Sequence, residues 1–221
     1  MLTFSPHAKL RLLAVALLAA LGLSLAGATH DAKAASLADI FAACNNYGDT
    51  QVAKLSPAAT DLTLLCLIDK ERHKAGSSYL SFDFPLGRAA AKHAKESIAS
   101  PFWDMTRGHV SHLNPGTPVP ADENQLIALG GMQAVARVQA QGFCPGGSSW
   151  SSGEITYSGA GAGSTPKAAV KWWMGDKEHH DALLDPKWRR VGPVGYKGSA
   201  FNPPQTGNTG TFVVEFGVCN K

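Results

Sequence analysis

Apolar residues recur at helical spacing in four stretches of the chain, and each stretch starts near a typical boundary residue. Ser56-Pro57 opens the first helix and Thr165-Pro166 opens the fourth, because serine and threonine cap helices and proline suits the first turn. The second helix begins near Pro85, and the third covers residues 124–141. The pattern therefore predicts four main helices, three of them in the first two thirds of the chain.

The third predicted helix carries an unusual glycine pair. Helical spacing places Ile127, Ala134 and Val138 on its inward face, and Gly142 ends it. Gly130-Gly131 lowers the intrinsic stability of the helix, so we expect the pair to mark close packing against another element.

Strand-like patterns cluster in the last third of the chain. Residues 150–164 form a strand rich in glycine and serine, and residues 188–196 form another, in which Pro193 predicts either a bulge or an edge position. The last strand, residues 211–219, alternates so that one face holds Phe212, Val214, Phe216 and Val218. Early helices and late strands indicate an α+β domain with helices packed on a small, mostly antiparallel sheet.

The first residues have the pattern of a secretory signal peptide. Lys9 and Arg11 precede an apolar run over residues 12–26, and small residues permit cleavage after Ala28 or Ala34. A retained anchor is the alternative. We therefore expect a signal peptide over residues 1–28 (or as far as 34), a preamble over 29–59, one domain over 60–221, and a secreted mature protein with no transmembrane span.

Four cysteines, with no CxxC spacing, are spread over the chain at positions 44, 66, 144 and 219. In an exported protein this pattern favours two disulfides over a zinc site. Three pairings are possible, and the spacing leaves all of them open.

The charge pattern and the known catalytic motifs exclude several functions. The formal net charge is +3, and removing Lys9 and Arg11 leaves about +1. Without a sustained basic stripe, nucleic acid is not an expected partner. No GxSxG elbow and no HExxH helix occurs.

Two adjacent histidines, His179 and His180, lie in the stretch WWMGDKEHHDALLDP, where Asp176 can cap a short helical turn. Together with His112 and Glu154, His179 offers two imidazoles and a carboxylate from separate segments. Such a set suits a divalent metal such as zinc, or proton transfer near neutral pH. The alternative is that these residues only hydrogen-bond the loops to one another.

Five segments between residues 60 and 219 follow one another in an order typical of a known extracellular family. They are LLCLIDKERHKAG (64–76), PLGRAAAKHAKESI (85–98), GHVSHLNP (108–115), SSGEITYSG (151–159) and STPKAAVKWWMGDKEHHDALLDPKWRRVG (164–192), before the strand TFVVEFG. The chain thereby resembles the CAP superfamily of cysteine-rich secretory, antigen 5 and pathogenesis-related 1 proteins, including bacterial SCP-like members.

The resemblance implies a three-layer α-β-α sandwich around a central antiparallel sheet, with a shallow cavity that holds two histidines and two acidic residues. His112, Glu154 and His179 match three of these cavity positions, and zinc or another divalent ion on the two histidines is implied. At the fourth position stands Lys177, which as an ammonium ion cannot bind metal. Glu178 and Asp176 are the possible substitutes.

The resemblance also implies roles for other residues. His93 falls in the second-helix motif, where it is expected to be structural. The implied disulfides are Cys44 with Cys66 and Cys144 with Cys219, while the other pairings stay open.

For function, the resemblance implies a secreted binding module for a lipid, sterol or cell-envelope ligand rather than an enzyme. The alternatives are a metal-dependent hydrolase or protease that uses the same cavity, or a purely structural extracellular domain.

Overall fold

A four-stranded sheet lies at the centre of the protein in the computed structural model, which describes residues 44–220. Its spatial order is β1-β3-β4-β2, and β4 pairs antiparallel with both β2 and β3. The short β1 pairs parallel with β3. The strands are β1 (Ser81–Phe82), β2 (Ser149–Ala160), β3 (Arg190–Lys197) and β4 (Thr209–Asn220). The expected signal peptide and residues 29–43 of the preamble lie outside the described residues.

Side-chain caps define where the helices begin. The first turns are capped by Ser56, Asp83, Asp122, Thr165 and Asp176. The helices are α1 (Pro57–Lys74), α2 (Phe84–Ala99), α3 (Glu123–Ala140), α4 (Pro166–Gly175) and α5 (Lys177–Leu184). The four predicted helices and the extra turn capped by Asp176 are therefore confirmed. Among residues 44–220, none of these helices is long and apolar enough to cross a membrane.

The two faces of the sheet are covered by different helices. On one face, the predicted alternating side chains of β4 pack with residues of α1, α4 and α5, including Leu64, Trp173 and Leu183. On the other face, Val213 of β4 packs with Ala90 and Ala94 of α2, and α2 in turn packs against α3. The architecture is the implied three-layer α-β-α sandwich.

The predicted inward face of α3 is wrong at one position. Ile127 is 45% exposed, whereas Leu126 is fully buried. The buried stripe runs through Leu126, Gly130, Ala134, Arg137 and Val138. Because this stripe contains a glycine and an arginine, counting apolar residues alone shifts the predicted face by one residue.

Pro193 lies at an edge of the sheet rather than at a bulge. The register between β3 and β4 is continuous from Arg190 to Lys197, and β1 pairs only with Arg190 and Val191. At Pro193 the missing N–H therefore leaves no ladder bond unmade.

Two disulfides cross-link the described chain, Cys44–Cys66 and Cys144–Cys219. They are the two pairs that the family resemblance implies. The first ties the start of the described chain to α1, and the second ties the end of β4 to the segment that follows α3.

Candidate functional site

Four residues singled out in the sequence line one cavity of about 290 Å³. His112 comes from the 3-10 helix Gly108–His112, Glu154 from β2, and Glu178 and His179 from the first turn of α5. The wall also includes His109, Trp172 and Asp176. We call this cavity the histidine hollow.

Glu154 lies at the floor of the histidine hollow, with a side chain only 1% exposed. Both of its oxygens accept from Arg137 Nη2 at 2.8 Å, and its Oε1 also accepts from His112 Nδ1 at 2.9 Å. Burial by itself would raise the pKa of this carboxyl, but Arg137, His93 and His112 hold the pKa well below its usual range. Glu154 is therefore an ionised structural anchor whose oxygens are already engaged.

The bond to Glu154 fixes the proton arrangement of His112. A carboxylate only accepts, so Nδ1 carries the proton and donates it. In the neutral ring, Nε2 then holds a lone pair, and no described residue hydrogen-bonds it. His112 thus offers an acceptor to the histidine hollow.

His179 is arranged in the same way by a different carboxylate. Its Nδ1 donates to Asp176 Oδ1 at 2.7 Å, and its backbone N–H donates to the same oxygen at 3.2 Å. The ring packs edge-on against Trp172 with centroids 4.7 Å apart. Burial lowers the pKa of His179 despite the nearby Asp176, so the ring is neutral at pH 7 and Nε2 is a second acceptor.

A histidine that bridges two glutamates closes the rim of the histidine hollow. His109 Nδ1 lies 2.7 Å from Glu123 Oε1, and its Nε2 lies 3.0 Å from Glu178 Oε2. This contact joins the start of α3 to α5 through the 3-10 helix between them.

Lys177 takes no part in the histidine hollow. Its side chain is 88% exposed and pairs with Asp181 one turn further along α5. Asp176 and Glu178, the two substitutes considered from the sequence, line the hollow instead. His180 faces outward next to Asp181.

Three important residues around Glu154 were missed by the sequence reasoning or only partly recognised. Arg137 holds Glu154, Glu215 lies opposite Glu154 in the β2–β4 register, and buried His93 reaches within 4.0 Å of it. His93 Nε2 also bonds the Ser111 carbonyl at 2.7 Å, in keeping with a structural role. The available signals were an arginine on the buried stripe of α3 and a lone acid in the apolar strand 211–219.

Glu215 is fully buried next to an ionised carboxylate. Burial, and then the charge of Glu154, raise the pKa of Glu215 well above its usual range. Glu215 is therefore protonated and neutral, and the pair carries one negative charge that Arg137 compensates.

The donor set does not fit a resident metal ion. Zinc sites use three or four protein ligands, but residues 44–220 contain no group of three or more His, Cys, Asp or Glu side chains placed to hold one. The oxygens of Glu154 are bound to Arg137, which leaves the two Nε2 atoms of His112 and His179. The expected ion on these histidines stays a prediction.

One solved structure agrees with this architecture. An extracellular protein containing an SCP domain from Bacillus anthracis is similar in fold, with a TM-score of 0.50 and 16% identity over 76% of this chain and 44% of that one. The chain thus spans less than half the length of that protein. An outer surface protein from Borrelia burgdorferi has a TM-score of 0.41 and 19% identity, over 71% of this chain and 90% of that one. No curated protein matches the chain.

The sequence family is assigned from a match that covers more than half of the chain. The family model described as cysteine-rich secretory protein family (CAP) matches residues 65–216, which include all of the histidine hollow. The chain therefore belongs to the CAP, or cysteine-rich secretory protein, family.

Proposed function

We propose that this protein is a secreted binding domain whose histidine hollow holds the hydroxyl or ammonium groups of a cell-envelope component. The observation that carries the proposal is the pair of Nε2 acceptors on His112 and His179, each oriented by a carboxylate on Nδ1. Hydrogen-bond acceptors fixed in a cavity select ligands that donate.

The charges around the histidine hollow favour the same ligands. Glu178 and Asp176 lie on its wall with side chains 71% and 45% exposed, so they add negative potential at the opening. An anionic ligand would be repelled at neutral pH, whereas an ammonium group or a neutral hydroxyl would not. Trp172 is 46% exposed and offers an aromatic face to a sugar ring or a cation.

Among the ligands implied by the family resemblance, a glycan or a lipid head group suits these features. Both present donors, and a lipid or sterol would meet the histidine hollow through its polar end. A metal-dependent hydrolase receives no support from the donor set described above. A purely structural domain is the remaining alternative, and the experiment below separates it.

The proposal is tested by calorimetric titration of the purified protein. The glycan probe is the trimer of N-acetylglucosamine, the lipid probe is vesicles of phosphatidylethanolamine, and vesicles of phosphatidylglycerol are the anionic control. We expect one of the first two probes to bind and the anionic vesicles not to bind at pH 7.5. The arm that responds identifies the source of the donors.

Variants connect any binding to the histidine hollow. The His112→Ala/His179→Ala double variant is expected to bind about tenfold or more weakly, because two lost hydrogen bonds cost about 1 kcal/mol each. His179→Ala alone leaves the contacts of Glu154 intact and guards against misfolding, and exposed Lys177→Ala is the matched control. Equal affinity in all four proteins, or no binding of either probe, would leave only the structural role. Adding zinc to the same titrations tests the expected metal.

A further inference from the structure

A second cavity of about 280 Å³ adjoins the histidine hollow. The two cavities share Gly108, Trp172 and His179 in their walls. Its other large side chains are mostly apolar: Trp103, Met105, Tyr157 and Phe201. We call it the aromatic cavity.

Two polar atoms of residues that line the aromatic cavity have no hydrogen-bond partner in the described part of the chain. They are the Nε1 donor of Trp103, whose side chain is nine-tenths or more buried, and the Oε1 acceptor of Gln205. A buried polar atom without a partner is unfavourable, so such atoms are rare unless a ligand or water satisfies them. The neighbouring hydroxyls of Ser111 and Thr156 bond each other at 2.7 Å and need no further partner.

The indole N–H groups of two other tryptophans show the ordinary arrangement in this fold. Trp173 donates to the carbonyl of Thr156 at 2.9 Å, and Trp188 donates to the carbonyl of Ala182 at 2.9 Å. Trp103 lacks such a carbonyl and instead packs edge-to-face on Phe201 at 6.1 Å. Trp103 therefore differs from Trp173 and Trp188 in having an indole donor without a partner in the described part of the chain.

We propose that the aromatic cavity binds the apolar part of a ligand that carries a hydroxyl group. That hydroxyl accepts from Trp103 Nε1–H and donates to Gln205 Oε1, which satisfies both atoms at once. A single hydroxyl is the smallest group that does both. The inference rests on the proposed function in one respect. Because the two cavities share a wall at Trp172 and His179, one amphipathic ligand would occupy both, with its polar end in the histidine hollow.

The size of the aromatic cavity limits the ligand. Its 280 Å³ is near the lower end of ligand pockets, which span about 300–1,000 Å³. It holds a short alkyl chain or a single ring, and the four fused rings of a sterol exceed it. Met105 and Trp172 are 64% and 46% exposed, so the lining extends to apolar surface from which a longer chain can continue.

The test uses three six-carbon probes that differ only in the polar group. 1-Hexanol both donates and accepts, 1-methoxyhexane only accepts, and hexane does neither. Each is titrated into ¹⁵N-labelled protein while the tryptophan indole N–H signals are followed. We expect 1-hexanol to shift the Trp103 signal, the ether to shift it at about three- to tenfold weaker affinity, and hexane to bind more weakly still.

Internal and variant controls make the result specific. The Trp188 signal should stay in place, since its N–H is already bonded. Trp103→Phe and Gln205→Met keep the apolar volume, remove one polar atom each, and should reduce the preference of the cavity for 1-hexanol over hexane. Circular dichroism verifies that both variants fold.

The possible outcomes are distinct. Equal affinity for 1-hexanol and hexane, or no binding of any probe, would overturn the inference and leave water as the occupant. If the Trp103 signal responds to 1-hexanol but the His112→Ala/His179→Ala variant binds the envelope probes normally, the inference stands and the proposed function fails. The reverse pattern would retain the proposed function alone.

Discussion

At the scale of single residues, Glu154 is the side chain on which the contacts near the candidate site converge. It accepts from Arg137 and His112 and lies close to His93, so residues of three separate segments converge on one carboxylate. Removing one partner of a buried charge costs more than the pair gains by forming, because the other charge stays buried alone. The site and the fold therefore share this anchor.

Arg137→Met should destabilise the protein by about 3–5 kcal/mol, the range for breaking a buried ion pair. The double variant Arg137→Met/Glu154→Gln, which removes both charges, should recover part of that loss. Urea unfolding followed by fluorescence measures both, and Arg88→Met, on the exposed surface of α2, is the control. A double variant no more stable than Arg137→Met would contradict the assigned role of the charge on Glu154.

Glu215→Gln should change how stability depends on pH. The pKa of Glu215 is raised in the folded state above the ordinary value of 4.5, so the unfolded chain ionises first. The contribution of Glu215 to the free energy of unfolding is therefore greatest below pH 4.5. Above pH 4.5 this contribution falls by up to about 1.4 kcal/mol per pH unit, until the pH reaches the pKa of Glu215 in the folded protein. The variant lacks that slope.

The measurement is the free energy of unfolding of both proteins from pH 4 to pH 8. The difference should move in favour of the variant as the pH rises. A difference that is constant across this range would mean that Glu215 is ionised in the folded protein. Exposed Glu96→Gln provides the comparison.

At the scale of elements, the histidine hollow depends on how α3 packs against the 3-10 helix Gly108–His112. A Cβ at Gly130 would lie 2.9 Å from His112 Cβ, whereas a Cβ at Gly131 would meet nothing within 4 Å. The sequence predicted close packing at this glycine pair, and the structure assigns it to Gly130. The two neighbouring glycines therefore provide a matched test.

Gly131→Ala should stabilise the protein by about 0.5–1 kcal/mol, because alanine is favoured over glycine inside a helix. Gly130→Ala should lose that gain and more, since the new methyl group displaces His112. Thermal unfolding measures stability, and the ring signals of His112 in NMR spectra report its displacement. Equal stabilisation by both substitutions would show that α3 does not constrain His112.

Much of the layered architecture could be predicted from local signals in the sequence. Capping residues such as Ser56 and Asp176 mark helix starts, and the alternation of β4 identifies its buried face. The pairing of Glu215 with Glu154 could not be predicted, because strand register joins residues 61 positions apart. The contact between Arg137 and Glu154 and the aromatic cavity could not be predicted either, because each depends on tertiary packing.

At the scale of the whole molecule, the two disulfides close loops of very different length. Cys44–Cys66 spans 22 residues and Cys144–Cys219 spans 75. Chain entropy predicts that the longer loop restricts the unfolded chain more. The two bridges should therefore contribute unequally to stability.

Replacing both cysteines of a pair with serine should cost about 3 kcal/mol for Cys44–Cys66 and about 4.5 kcal/mol for Cys144–Cys219. Denaturant unfolding of each double variant against the wild type measures these losses. A larger loss for the shorter loop would mean that native packing at Cys44 and Cys66, rather than loop length, decides the effect.

The bridge between Cys144 and Cys219 also determines what a proteolytic cut would do to the protein. The stretch between these two cysteines contains β2, α4, α5 and β3, and with them Glu154 and His179. A protease that nicks the backbone anywhere in this stretch leaves two fragments that stay covalently attached. Such a clipped protein would migrate as one band on a gel without reductant and as two bands after reduction, and both halves of the candidate site would remain in one molecule.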